Sequence, residues 1–175
     1  MATVQPDGTG VALGDMFLSV KGAKSGMIKG EAQDAIHAEE IDVISWSWGM
    51  QAKQSLGTAL PTGRATVNEL KIVKRLDSAS TPLMQALRSN EVITKAVLTL
   101  RKAGKGSLEF FKITIEQGRV TSITLDGGGD RSGTPDAFED VTFTFNKITV
   151  EYVPQGKDGM PRGSMLYQDE FGAAS

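Results

Sequence analysis

Extended runs fill most of this chain and a single segment carries helical spacing; that imbalance limits the fold more than any other feature. Residues 16–20, 39–48, 64–75, 92–102, 107–117, 119–127, 138–153 and 165–171 hold most of the Val, Ile, Thr and Phe and are bounded by Gly, Pro, Asn or Asp. That is the composition of strands and their turns. The exception is SASTPLMQALRSN (78–90). Ser80 or Thr81 offers an N-cap, and Pro82 falls in the first turn, where its missing N–H costs nothing. Leu83, Ala86 and Leu87 share one face, and Arg88 suits the negative end of the helix dipole. A helix of about ten residues is too short to stand alone in water, so its apolar face must dock on a sheet. Many strands and one helix predict a mainly β fold, an antiparallel sandwich or barrel.

The chain has 175 residues, which suits one domain with a core of its own. Residues 1–13 are short of large apolar groups and read as a flexible N-terminal arm, leaving 14–175 as a single domain. There is no cysteine, so disulfides and thiolate chemistry are excluded. Nineteen basic residues balance 21 acidic ones, for a net charge of −2, which argues against a general nucleic-acid binder. The start, MATVQPDGTGVALGDMF, has no basic segment leading into an apolar run, and no apolar stretch approaches the ~20 residues needed to cross a bilayer. The expectation is a protein made in the cytoplasm, without membrane insertion.

Several strands are apolar on both faces. Phe110 and Phe111 are adjacent and so point opposite ways; Ile113 and Ile115 continue the Phe111 side, which reads as the core side, leaving Leu108 and Phe110 to look elsewhere. Val141, Phe143 and Phe145 share one parity, while Ile148, Val150 and Tyr152 share the other. Either a bulge near Asn146-Lys147 restores one buried side, or the strand serves two surfaces. In EEIDVISWSWGM (39–50), Ile44, Trp46 and Trp48 fall on one side and Ile41 and Val43 on the other. The two tryptophans belong either to the chain's own core or to a surface that a second copy covers, since large apolar patches mark association sites. The long connection 50–63 has no period of its own; Leu56, Leu60 and Pro61 would anchor it to a neighbour, with Gly57 and Gly63 allowing sharp bends.

Catalytic patterns are missing. His37 is the single histidine, and no Gly-x-Ser-x-Gly elbow exists for it to serve; it reads as a surface loop residue. Zinc sites built from Cys and His fail by count. Lys102-Ala103-Gly104-Lys105-Gly106-Ser107 puts Gly where a phosphate loop needs Ser or Thr, and Gly127-Gly128-Gly129-Asp130 lacks the alternating carboxylates of a calcium loop. No catalytic, metal or cofactor site is assigned. A structural or binding protein is expected. The alternative is a monomeric β-barrel binding module with Phe110 or Trp48 as its platform, or a hydrolase built on clustered carboxylates.

Six stretches carry a resemblance. They are Gly14-Asp15-Met16-Phe17-Leu18; Lys29-Gly30-Glu31-Ala32-Gln33-Asp34; Glu40 through Gly49; Ser80-Thr81-Pro82-Leu83; Leu98-Thr99-Leu100-Arg101-Lys102-Ala103-Gly104; and Val150-Glu151-Tyr152-Val153-Pro154-Gln155. In this order the chain resembles the haemolysin-coregulated protein (Hcp) family over residues 14–168. The arm at 1–13 is longer than the usual start in that family, and the chain looks like the plain form rather than one fused to a toxin. The resemblance implies an antiparallel β-barrel with one short α-helix on its side. It implies six copies closed into a ring, and rings stacked into the inner tube of a type VI secretion machine. The implied partners are further copies, a contractile sheath, a spike at the tip and small effector proteins carried in the lumen. Export would need no signal peptide. Leu56, Leu60, Pro61, Leu108, Phe110 and Trp48 are the expected subunit-contact residues.

Overall fold

The computed structural model describes residues 14–52, 65–103, 108–129 and 135–171. The expected arm lies outside them. The strands are β1 (Asp15–Gly22), β2 (Gly26–Ile28), β3 (Ile41–Ser47), β4 (Met50–Gln51), β5 (Thr66–Val67) and β6 (Leu70–Arg75). After the helix α1 (Ser80–Arg88) come β7 (Ile93–Arg101), β8 (Glu109–Gly129), β9 (Pro135–Thr144), β10 (Lys147–Tyr152) and β11 (Met165–Glu170). All pairings are antiparallel, and the order β8-β7-β1-β3-β6-β9 closes on itself through β8–β9. The result is a six-stranded barrel, as expected. β2 adds to β1, and β10 then β11 extend the sheet outward from β8. β4 and β5 pair separately, forming the base of the connection whose residues 53–64 lie outside the description.

One core fills the barrel. Leu18 and Val20 of β1, Ile72 of β6, Leu98 of β7, Ile113 and Ile115 of β8, Val141 and Phe143 of β9 and Ile148 of β10 are all shut in, with Leu83 and Ala86 of the helix. β8 is one strand of 21 residues, where the sequence at Gly118 suggested two. Its first part pairs with β7 and β10 and its second with β9. Gly118 is the close-approach point: a Cβ there would sit 2.2 Å from the Thr144 carbonyl oxygen, so a side chain would force these strands apart.

Irregularities in the ladders resolve the double-faced strands. The β3–β6 register slips between Val43 and Ser45, leaving Ile44 as an extra residue. An extra residue flips the side-chain phase. Ile41 and Val43 are therefore inward before the bulge, Trp46 and Trp48 are packed against the same core after it, and Ile44 is exposed. The unbroken alternation that placed Ile44 with the tryptophans is corrected by this bulge. A second slip pairs Leu100 with Phe111 but Arg101 with Glu109, making Phe110 the extra residue. Phe111 stacks on Trp46 across the interior, 5.5 Å between ring centroids. The third phase change falls at Phe145-Asn146, between β9 and β10, so that Phe143 and Ile148 enter one core. Of the two readings offered for that strand, the single restored side holds.

The helix begins differently from the expectation. Ala79 occupies the cap position with helical torsions and makes no side-chain cap bond. The Ser80 hydroxyl is engaged elsewhere: it donates to Glu139 Oε2 at 2.8 Å and accepts from Lys74 Nζ and the Asp77 N–H, each at 3.0 Å. Asp77 instead takes the Ala79 N–H. At the other end Asn90 adopts a left-handed φ of 54°, and the Glu91 N–H returns to the Ala86 carbonyl, which closes the helix with a Schellman turn.

Candidate functional site

Three places concentrate side chains that the barrel does not need for closure. The first is internal. Lys74 and Glu139 face each other across β6 and β9 and both are 0% exposed. Lys74 Nζ lies 2.6 Å from Glu139 Oε2, 2.9 Å from Asp77 Oδ1 and 3.0 Å from the Arg75 carbonyl. Glu139 sits at the N-terminus of α1, where the helix dipole favours an anion. Through Ser80 and Asp77 at the start of α1, this cluster fastens the helix to the barrel. The inward parity of Lys74, two residues after buried Ile72, was the available sequence signal.

The second place is a strap, residues 29–40, laid over the outer face of β1 and β7. Beneath it Phe17, Thr99 and Arg101 are buried although they point away from the core. Arg101 donates to Asp34 at 2.6 Å and Asp15 at 2.8 Å while lying over the Phe17 ring. His37 stacks on the same ring and is buried; its reading as a surface residue is corrected. The hydrogen bond from Arg101, with the Ile36 and His37 amides, holds the Asp34 carboxyl well below the usual carboxylate range. A depressed carboxylate contributes stability that is complete above its unfolded pKa of about 3.9 and is lost as pH falls below that value. Thermal melts should therefore drop on acidification below about pH 4. Asp34→Asn should start lower at neutral pH and show a shallower acid decline; parallel curves would remove Asp34 from the account.

The third place is the outer wing of the sheet. β11 pairs with β10 on one side and with no described strand on the other. Met165 is 64% exposed, Leu166 66% and Tyr167 40%. Consecutive strand residues face opposite ways, so the first half of this edge is apolar on both faces, while Asp169 and Glu170 charge the second half. Tyr152, beside Met165 on β10, is exposed too. The expected contact residues distribute unevenly around this surface. Leu108 and Phe110 are half-buried at the start of β8, where Lys102 lies over the Phe110 ring and the Phe110 carbonyl accepts the Val153 N–H that follows β10. Trp48 is half-buried against the core, and its indole N–H has no partner among the described residues. Leu56, Leu60 and Pro61 lie outside the described residues. Sequence reasoning gave β11 no contact role, because the run 165–171 mixes apolar and acidic groups without a clean period.

A closed antiparallel barrel with one docked helix agrees with the sequence resemblance. The family described as "Type VI secretion system effector, Hcp" matches residues 17–152. This chain belongs to the Hcp family. Among curated Hcp relatives, "Protein hcp1" of Pseudomonas aeruginosa is 38% identical over 152 residues, 85% of this chain and 89% of that protein. The "Major exported protein" of the same organism is 26% identical over 157 residues, 82% and 91% of the two chains. Among solved structures, Hcp1 from Salmonella typhimurium superposes with a TM-score of 0.70 at 29% identity, covering 91% of this chain and 95% of that one. A type VI secretion system effector from Yersinia pestis gives 0.67 at 27%, covering 89% and 99%. The protein is thus a type VI secretion protein of the tube and effector class, and Hcp proteins are secreted by that system.

Proposed function

We propose that six copies of this Hcp chain close into a ring and that rings stack into the inner tube of a type VI secretion machine, with a structural rather than a catalytic role. The observation that supports this most is β11: among the described residues no strand pairs with its outer edge, and its first half exposes Met165, Leu166 and Tyr167 to water, a kind of edge that natural sheets ordinarily cover or charge. A cyclic ring is built from head-to-tail contacts, in which one surface meets a different surface of the next copy. The β10–β11 wing supplies one of the two surfaces. Leu108, Phe110, Trp48 and the loop residues Leu56, Leu60 and Pro61 are the other contact candidates. Small effector proteins occupy the lumen, a sheath surrounds the tube and a spike caps it; family membership supports this reading of the partners. Light scattering should give a particle six times the 18.7 kDa chain; a monomer at high concentration overturns the proposal. Leu56→Asp and Leu60→Asp should weaken association while leaving the β-sheet circular dichroism unchanged. If both variants keep the parent's mass, the loop is not a contact.

A further inference from the structure

His37 is held on both sides by carboxylates. Its Nδ1 lies 3.0 Å from Glu40 Oε2 and its Nε2 3.0 Å from Glu109 Oε1. The ring is stacked flat on Phe17, 4.5 Å between centroids and 12° from parallel, so it cannot swing to find other partners without unstacking. Ionised carboxylates only accept hydrogen bonds, and a neutral imidazole has one N–H to give. Both contacts are satisfied only when both ring nitrogens carry protons. With one proton gone, a nitrogen lone pair faces a carboxylate oxygen across one of them. The surroundings keep the carboxylate on β8 ionised: burial pushes Glu109 up, but Lys112 at 2.5 Å and His37 outweigh it and hold Glu109 below the usual range.

We propose that His37 is a proton-operated latch that holds the C-terminal half of the strap 29–40 onto β8, closed when the imidazole is charged and loosened when it gives up a proton. The charged groups around it are Glu40 on the strap, Glu109 and Lys112 on β8, and, across the Phe17 ring, Arg101 on β7 with Asp15 of β1 and Asp34 of the strap. Arg101 stays charged at all working pH values, so the Asp34 end of the strap remains clamped while the His37 end responds. The latch needs no second copy of the chain. It bears on the outside nonetheless: Ile36, next to His37, is exposed, and Glu109 stands between Leu108 and Phe110.

The test is amide hydrogen exchange on the intact chain, corrected for the intrinsic pH dependence of exchange, with the ring nitrogens followed by 15N NMR. The strap amides of Ala32, Glu39 and Glu40 are hydrogen-bonded within the strap and report its closure. Their protection should fall about tenfold or more as the 15N signals show His37 losing its proton. His37→Gln, which bonds but does not titrate, should flatten that profile. Glu109→Gln should weaken it without touching the histidine, and it carries the test if the first variant does not fold. A profile in the parent that is flat, one retained in either variant, or a ring singly protonated at the acid end overturns the latch.

Discussion

Replacing Lys74 with methionine is expected to cost the folded state about 3–5 kcal/mol, because it strands a carboxylate inside the barrel. Glu139 is fully enclosed, and without Lys74 its one described partner would be the Ser80 hydroxyl. The loss is comparable to much of the net stability of an ordinary domain, about 5–15 kcal/mol, so the variant should be partly unfolded in mild urea. The reverse change, Glu139→Gln, should cost less, since Lys74 keeps Asp77 at 2.9 Å and the Arg75 carbonyl. The double variant Lys74→Met, Glu139→Leu should recover most of the loss, as buried ion pairs replaced by apolar groups of similar volume often do. Urea denaturation of all three at one protein concentration measures this. A single variant as stable as the parent would mean that the pair is not shielded from water.

Leu166→Glu is expected to dismantle the proposed ring and spare the barrel. In a lone copy this side chain is already mostly in water, so the folded monomer should change by no more than about 0.5 kcal/mol. In a ring that covers β11, each contact would lose the burial of a leucine and acquire an enclosed, unpaired carboxylate. Together these cost about 3–5 kcal/mol, which is roughly two to four powers of ten in association at each contact. A closed ring multiplies that loss around its circumference. The expected result is a shift of mass from six copies to one with the circular dichroism and melting of the monomer retained. If the ring survives, the wing does not lie between copies.

The strand runs and the helix were readable because their periods are long and uninterrupted: Leu83, Ala86 and Leu87 needed nothing but spacing, and Ile113 and Ile115 marked the core side of β8. One misreading falls where a residue is inserted into a ladder. Ile44 has the composition of a core residue and sits in a run that alternates well, so nothing local announces that the backbone steps out there. The bulge is set by how β3 must pair with β6 while also pairing with β1, a tertiary condition. Ser80 failed as a cap for a related reason, since its hydroxyl is claimed by a buried ion pair formed from residues on two other strands. His37 was misplaced because its burial depends on Phe17 and Glu109, which sequence order puts far apart. Of the six contact candidates, the candidate surface brings Leu108 and Phe110 beside β10, while Trp48 packs on the core.

The shared strand β8 also has a bearing on how the chain is made. Its partners come both before it, in β7, and after it, in β9 and β10, and the last seam of the cylinder joins it to β9. No earlier stretch can shut off the interior by itself. A growing chain emerging from a ribosome must therefore keep Leu18, Ile72 and Leu98 waiting until Thr144 has been added. β9 must also find β6, far back in the sequence; such distant pairings fold in milliseconds to seconds rather than microseconds, and during that wait the half-built sheet has open rims that a chaperone would recognise.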